Sequence, residues 1–295
     1  MSTPPRQATG RDTGPRAGGP SHVPRPQPFT LSRARDRERP LVVEVPHAGL
    51  AVPDDVRTEI HVSSAALLRD ADLFVDRFYA STLTHGGSLL VSHVSRYVVD
   101  LNRAEDDVDR DIVPDHPRPR PQQVRGVIWK TTTTGELVMP SPLTHASFEQ
   151  RLARYHRPYH AALEAEIERK KRLFGWVLLV CAHSMPSVTR PGAPRRADVV
   201  PGSRGGTTTS PRVLDTLDAS FRARGLTVRH DDPYKGGYTT QKFGRPRDGI
   251  HAVQIELSRA LYVDERTSEP DDAGFARLTQ VIDTLLGQLV ALDLG

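Results

Sequence analysis

A short apolar run at residues 176–185, Trp-Val-Leu-Leu-Val-Cys-Ala-His-Ser-Met, constrains the fold more than any other feature of the sequence. It is too short to span a membrane, and its β-branched and large apolar residues are typical of a buried strand. His183 lies near the end of the run, and open α/β sheets place their chemistry at the carboxyl ends of strands. The run therefore predicts a central strand of an α/β sheet that carries a functional histidine.

Two other strand-like segments carry polar residues of similar kind. Residues 41–45, Leu-Val-Val-Glu-Val, lead into a Pro-His-Ala-Gly loop that contains His47. Residues 250–257 place Glu256 among apolar neighbours, where a carboxylate needs an ion-pair partner, a metal or a raised pKa that suits a general base. Arg259 is the purely structural partner for it. Two histidines and a carboxylate at one sheet edge favour a metal hydrolase.

The order of the other predicted elements favours one large α/β domain over two small ones for a chain of 295 residues. Strands alternate with helices, which is typical of a mainly parallel or mixed sheet with helices on both faces. Long loops at residues 104–125 and 186–210 are expected to serve function. The further strands are predicted at residues 88–93, 96–101 and 226–229, and the helices at about residues 63–86, 144–173 with a kink at Pro158, 211–224 and 273–292.

The charge distribution separates a tail from the rest of the chain. Residues 1–40 contain eight arginines and three acidic residues, so they carry more than the whole net charge of +4. We expect residues 1–38, rich in Pro, Gly, Ser and Arg, to be disordered, and residues 39–295 to form the catalytic domain. Nucleic-acid binding by that domain is not predicted. The single cysteine, Cys181, and the lack of a long apolar segment favour a cytoplasmic protein without a membrane span.

His47 and His183 are the first candidates for metal ligands. A catalytic zinc ion needs three protein ligands and leaves its fourth position to water. Spacing alone leaves the third ligand open between Asp70 and Asp72, which also fit a solvated helix face, and we choose Asp72. The His-x-x-x-His step of residues 156–160 is interrupted by Pro158, so we predict that His160 contacts substrate rather than metal.

Arginines near the predicted site suit anionic substrates. Arg96 and Arg103 flank the segment predicted as a strand at residues 96–101. Arginine forks bind carboxylates bidentately, and an arginine beside a metal stabilises a developing oxyanion. The alternative for both is ordinary surface arginine.

Seven motifs follow one another between residues 45 and 262. They are Val-Pro-His-Ala-Gly-Leu-Ala-Val-Pro (45–53), Asp-Ala-Asp-Leu-Phe-Val-Asp (70–76), Ser-Arg-Tyr-Val-Val-Asp-Leu-Asn-Arg (95–103), His-Arg-Pro-Tyr-His (156–160), His-Ser-Met-Pro (183–186), Gly-Tyr-Thr-Thr (237–240) and Gln-Ile-Glu-Leu-Ser-Arg-Ala-Leu-Tyr (254–262). In this order they resemble the N-formylglutamate amidohydrolase family. That family is similar to the zinc carboxypeptidases and to the aspartoacylase and succinylglutamate desuccinylase group.

The resemblance implies a zinc-carboxypeptidase-like fold and one Zn²⁺ per chain. It implies that His47 and His183 bind zinc and that Glu256 is the general base. Arg96 would polarise the scissile carbonyl. Asn102 and Arg103 would bind the α-carboxylate of the substrate, and we add Tyr238, in the Gly-Tyr-Thr-Thr motif, as a substrate contact.

The implied reaction is zinc-assisted hydrolysis of an N-acyl amino acid, with N-formyl-L-glutamate as the leading substrate. The chain departs from the carboxypeptidase pattern at Leu50, where those enzymes have a Glu ligand, so the third ligand must come from elsewhere, and Asp72 is our choice. Two alternatives remain open: a deacylase or carboxypeptidase-like amidase for another N-acyl amino acid or a peptide, and a non-catalytic binding protein. The sequence does not predict the oligomeric state.

Overall fold

Six strands form one mixed sheet in the computed structural model, which describes Met1 and residues 27–295. The strands are β1 Phe29–Arg33, β2 Leu41–Val45, β3 Ser88–Ser92, β4 Val177–Met185, β5 Val199–Gly202 and β6 Ile250–Ser258. Their order across the sheet is β1-β3-β2-β4-β6-β5. The four inner strands are parallel, and the two edge strands pair antiparallel with their neighbours. The predicted α/β fold with a mixed sheet is confirmed.

Helices cover both faces of the sheet, because side chains of the inner strands alternate between two apolar cores. Val42 and Leu179 face the core under the helices at residues 145–151 and 157–174, whereas Val43 and Val180 face the core under the helices at residues 75–78, 211–222 and 272–290. None of the described helices combines the length and the apolar character that a transmembrane span requires. The helices are α1 Asp54–Arg57, α2 Ser64–Asp70, α3 Val75–Phe78, α4 His145–Arg151, α5 Arg157–Phe174, α6 Pro211–Arg222, α7 Tyr238–Phe243 and α8 Asp272–Val290.

The predicted helix over residues 63–86 is wrong in its extent. Ser63 caps α2 as its sequence indicates, but α2 ends at Asp70 and the chain is irregular before α3. Phe74 adopts a left-handed conformation with φ 63°, which is unfavourable for an aromatic residue. The Asp72 amide donates to the carbonyl of His47, so tertiary contacts outweigh the apolar periodicity here.

Two predicted strands are also absent from the described chain. Residues 96–101 form buried turns, in which the Asp100 amide donates to the carbonyl of Val127. Residues 226–229 make a single bridge, between Val228 and Val199. In both segments apolar residues are buried, but within the described chain no neighbouring strand pairs with them along their length. Conversely, the loop predicted at residues 186–210 contains the edge strand β5.

The predicted tail ends earlier than residue 38. Phe29–Arg33 pairs over five residues with β3, and Phe29 and Leu31 pack on one core. Arg33 donates to Glu166 of α5 at 2.8 Å. The prediction missed β1 because its alternation is short and lies next to an Arg-rich segment. Residues 2–26 of the predicted tail lie outside the described residues.

The helix predicted over residues 144–173 is interrupted close to Pro158. A π-helical turn, Leu152–His156, joins α4 to α5, and Pro158 lies in the first turn of α5. Proline lacks the amide donor that helix interiors need, which accounts for the irregular hydrogen bonding just before it. The turn places His156 and His160 one turn apart, facing residues 101–103.

Candidate active site

Three buried side chains, His47, Asp72 and His183, meet beside the carboxyl ends of β2 and β4. The His47 and His183 Nδ1 atoms are 3.2 Å apart, and Asp72 Oδ2 lies 3.0 Å from His183 Nδ1 and 3.5 Å from His47 Nδ1. Ligands at about 2.0–2.1 Å from a tetrahedral zinc ion lie about 3.3–3.4 Å from one another. The donor types and their spacing therefore fit a divalent metal of this kind.

The irregular segment between α2 and α3 brings Asp72 to the two histidines. Burial alone raises the pKa of Asp72, but hydrogen bonds from His183 and His47 outweigh it and hold the pKa well below its usual range. Asp72 is therefore a carboxylate, as a metal ligand must be. Asp70, the alternative ligand, is instead held by the Tyr97 hydroxyl at 2.6 Å and the Thr133 amide at 2.8 Å.

Asp100 is a site residue that sequence reasoning missed. Its Oδ1 atom lies 2.8 Å from His47 Nε2, and its Oδ2 atom accepts from the Trp129 indole at 2.9 Å. Burial raises the pKa of Asp100, but the charges of His47, Arg96 and Arg103 hold it well below its usual range. A carboxylate on the outer nitrogen of a metal-binding histidine sets the ring orientation and tautomer. Its position in the Asp-Leu-Asn-Arg motif was the available signal.

Glu256 lies opposite His183 in the register of β6 and β4 and lines the same cavity. Within the described chain, its hydrogen-bond donor is Gln254, whose Nε2 atom is 2.8 Å from Glu256 Oε1. Burial raises the pKa of Glu256 to about 7. Arg259, the structural partner considered above, donates instead to Ser184 Oγ at 3.1 Å and to Asp72 Oδ1 at 3.4 Å.

Arg96 is held next to the three clustered side chains. One guanidinium nitrogen, Nη2, donates to Asp100 Oδ2 at 3.1 Å and lies 3.4 Å from His47 Nε2. The guanidinium stacks over the Trp129 ring at 4.5 Å. Its buried Nε atom has no hydrogen-bond partner among the residues described. Arg96 is thus a fixed cation with donor capacity left at the site.

A cavity of about 1230 Å³ opens over these groups. Asn102, Arg103 and Tyr238 line it. Asn102 Nδ2 lies 3.2 Å from His183 Nε2, and Asn102 Oδ1 accepts from the Thr239 amide at 3.2 Å. Arg103 donates to the backbone carbonyls of Arg125 and Asn102. The structure therefore brings these three predicted substrate contacts to the cavity that contains the metal-binding geometry.

The model of the N-formylglutamate amidohydrolase family matches residues 39–263. The chain belongs to this family. It is therefore a hydrolase of an amide C–N bond, and the resemblance seen in the sequence motifs is confirmed.

Relatives of the amidohydrolase align with this chain over most of their length. N-formylglutamate deformylase of Pseudomonas aeruginosa is 34% identical over 266 residues, which cover 85% of this chain and 93% of that protein. The deformylase of Pseudomonas putida is 31% identical over 250 residues, covering 82% and 89%. The crystal structure of N-formylglutamate amidohydrolase from Ralstonia eutropha JMP134 has a TM-score of 0.81 and 33% identity, and covers 89% of this chain and 97% of that one.

His160 of the amidohydrolase is buried and is not among the residues that line the cavity, so the structure does not bring this predicted substrate contact together with the others. Its Nε2 atom donates to the carbonyl of Leu101 at 3.0 Å, and His156 donates to the carbonyl of Arg103 at 2.9 Å. Burial and the neighbouring His156 hold the pKa of His160 well below its usual range. The two histidines thus hold the backbone on either side of Asn102. Because they lie one helical turn apart, each reaches one of these two carbonyl groups.

Proposed function

We propose that this amidohydrolase cleaves the amide bond of an N-acyl amino acid, with N-formyl-L-glutamate converted to formate and L-glutamate as the leading reaction. The observation that carries the proposal is the close grouping of His47, Asp72 and His183 beside Glu256 in one cavity. The names of the relatives support the choice of substrate.

His47, Asp72 and His183 would hold one divalent metal ion, for which we propose zinc. When bound, such an ion supplies a Lewis acid that polarises a carbonyl oxygen and makes water a better nucleophile near neutral pH. The imidazole and carboxylate donors suit zinc, and Asp100 supports His47 from the far side of its ring. The likeness to zinc carboxypeptidases remains a prediction.

Glu256 is the proposed proton carrier. Its carboxylate accepts a proton from the attacking water, whose oxygen bonds to the acyl carbon. The carboxyl group then gives that proton to the amide nitrogen as the C–N bond breaks, which releases the carboxylic acid and the free amine. Gln254 orients Glu256 through the 2.8 Å hydrogen bond. A pKa of about 7 supports both accepting and returning a proton at neutral pH.

Arg96, Asn102 and Arg103 are the proposed contacts to the anionic parts of the reaction. Arg96 stabilises the oxyanion that forms on the acyl oxygen, because its guanidinium is fixed beside His47 by Asp100 and Trp129. Asn102 and Arg103 bind the α-carboxylate, and Tyr238 closes the side of the cavity next to them.

The bounds of the catalytic domain also remain a prediction. The domain comprises residues 39–295, and β1 must be added to it because it pairs with β3. The cytoplasmic location likewise stays a prediction.

A deacylase or peptide amidase with a larger substrate is the second candidate. The volume of about 1230 Å³ exceeds the roughly 300–1,000 Å³ that is typical of sites for small molecules. A panel of N-acyl amino acids and dipeptides therefore belongs in the first assay.

The first experiment measures metal content by mass spectrometry and formate release from N-formyl-L-glutamate. We expect about one zinc per chain, and formate release that chelation abolishes and zinc restores. His183→Ala is expected to lose both, whereas Glu256→Gln keeps the metal and loses about 10²–10⁴-fold in kcat.

His145→Ala, which changes a partly exposed histidine that does not line the cavity, is the matched control and retains both metal and activity. Zinc without turnover of any compound in the panel would disprove the proposed reaction. A protein that takes up no metal on reconstitution would disprove the metal site.

A further inference from the structure

The cavity wall carries more positive charge than the proposed chemistry uses. Ten arginine and lysine side chains line it, against five carboxylates. The carboxylates are occupied: besides Asp72 and Glu256, Asp70, Asp107 and Glu265 accept hydrogen bonds from backbone amides. Six of the ten cations form no salt bridge with any carboxylate in the described chain. An anionic ligand would neutralise them.

These six cations include two groups on different parts of the wall. Arg103 and Arg125 lie beside Asn102 and are linked, because Arg103 Nε donates to the Arg125 carbonyl. The second group, which we call the second basic wall, consists of Arg196, Arg204 and Lys235. The amide of Arg204 donates to the carbonyl of Lys235 at 2.8 Å, so these two residues lie side by side although they are distant in sequence.

Backbone and aromatic contacts hold the two arginines of the second basic wall in place. Arg196 donates to the carbonyl of Pro186 at 2.8 Å, and its guanidinium lies 5.4 Å from the centre of the Tyr234 ring. Its buried Nε atom has no partner among the residues that the structure describes. Arg204 donates to the carbonyl of Gly236 at 3.1 Å. Cations held by neutral groups are ready to bind an anion without first breaking an ion pair.

The segment 234–237 connects the second basic wall to the proposed α-carboxylate site. The amide of Gly237 donates to Gln254 Oε1 at 2.8 Å. A Cβ atom at Gly237 would lie 2.2 Å from Asn102 Nδ2, so the backbone there touches Asn102 directly. An amino acid whose α-carboxylate binds Asn102 and Arg103 therefore has this segment, and the basic side chains on it, within reach of its own side chain.

We propose that the second basic wall binds a carboxylate on the side chain of the substrate and thereby selects acidic N-acyl amino acids over neutral ones. The inference rests on the proposed function for the position of the α-carboxylate. An arginine fork matches a carboxylate bidentately and does not match a carboxamide in the same way. A neutral side chain leaves these cations without a counter-charge in the cavity, which disfavours it.

The test compares kcat/KM for N-formyl-L-glutamate and its uncharged isostere N-formyl-L-glutamine. For the zinc-loaded wild type we expect a preference for glutamate of about ten-fold or more, because Arg196 is partly buried and Arg204 and Lys235 add their charge from the exposed side. In the Arg196→Met/Lys235→Met double variant we expect that ratio to fall by about five-fold or more, whereas Arg196→Lys, which keeps the charge but loses the fork, reduces it less than the double variant does. Arg195→Met, which removes the same charge from the neighbouring residue outside the cavity lining, leaves the ratio unchanged.

A binding measurement without turnover separates this inference from the proposed reaction. Calorimetry with L-glutamate and L-glutamine, the two amino-acid products, is expected to show tighter glutamate binding to the wild type and a reduced difference in the double variant. An unchanged preference in the double variant, or none in the wild type, overturns the inference, even where formate release proceeds. Loss of formate release from every substrate with the glutamate preference intact overturns the proposed reaction instead. Circular dichroism confirms that each variant is folded.

Discussion

At the scale of single residues, the site depends on buried carboxylates, and two of them have positively charged groups and hydrogen-bond donors beside them. Asp72 is surrounded by two imidazoles and Arg259, and Asp100 by His47, Arg96 and Trp129. A buried carboxylate without such partners would be protonated and would bind metal weakly. Glu256 is the exception, because a hydrogen bond from Gln254 does not offset its burial, and its pKa rises. Glu256, whose burial is offset least by neighbouring groups, is thus the residue proposed to exchange protons.

The role of Asp100 can be tested with Asp100→Asn. The amide keeps the shape but loses the charge that orients His47, so we expect zinc affinity to fall by about 10–100-fold. Zinc titration against a competing chelator measures this. Asp109→Asn, an exposed change in the same segment, is the control and leaves affinity unchanged. Equal affinities for Asp100→Asn and wild type would show that Asp100 does not support the site.

At the scale of elements, α5 joins the sheet edge to the core through buried charges. Lys170 is fully buried, and its Nζ atom lies 2.7 Å from Glu38. On the same helix Glu166 accepts from Arg33 of β1 and from Ser88 of β3. These contacts explain why β1 is ordered next to a segment with the composition of a tail. They also make Glu38, just before β2, important for stability.

Glu38→Gln is expected to destabilise the protein by about 1–3 kcal/mol at pH 7, because it leaves the buried Lys170 without a carboxylate. The hydrogen bond from Arg169, stronger than the opposing effect of burial, lowers the pKa of Glu38 to about 2 from its usual 4.5. The stabilisation is thus complete above pH 4.5 and is lost as the pH falls towards 2.

Urea unfolding of wild type and variant between pH 7 and pH 3 measures the difference in the free energy of unfolding. Glu168→Gln, a change of a partly exposed carboxylate on α5, is the control and shows little effect. A difference that stays constant, or grows, as the pH falls from 4.5 would contradict the assigned pairing.

At the scale of the whole molecule, the proposed metal joins segments that are far apart in sequence. His47 follows β2, Asp72 lies between α2 and α3, and His183 lies on β4. An unfolded chain does not hold these groups together, so metal binding is coupled to folding. The irregular turn around Phe74 is part of the same arrangement, because it carries Asp72 to the sheet edge.

Zinc is therefore expected to raise the melting temperature of the metal-free protein. At 100 to 1,000 times Kd the stabilisation is about 3–4 kcal/mol, or about 6–16 °C for a chain of this size. Differential scanning calorimetry with and without zinc measures the shift. His183→Ala is expected to show a much smaller shift, and a shift equal to that of the wild type would place the metal elsewhere.

The sequence by itself determined the central strands, the mixed α/β fold and the family. Apolar runs such as residues 176–185 are local signals, and a strand buried on both faces needs no further information to be recognised. The same local signals placed His47, His183 and Glu256 at one edge of the sheet. The motif order, read along one chain, was sufficient for the family.

Only the tertiary structure showed that Asp72 rather than Asp70 lies beside the two histidines, that Asp100 contacts His47, and that His160 is absent from the cavity lining. It also replaced the strand predicted at residues 96–101 with buried turns, and added β1. Each of these features depends on a contact between residues that are distant in sequence, such as Asp72 with His183 or Arg33 with Glu166. The periodicity of the sequence indicates which side of an element is apolar. It does not indicate which distant residue a polar side chain contacts, because that contact forms only when the chain has folded.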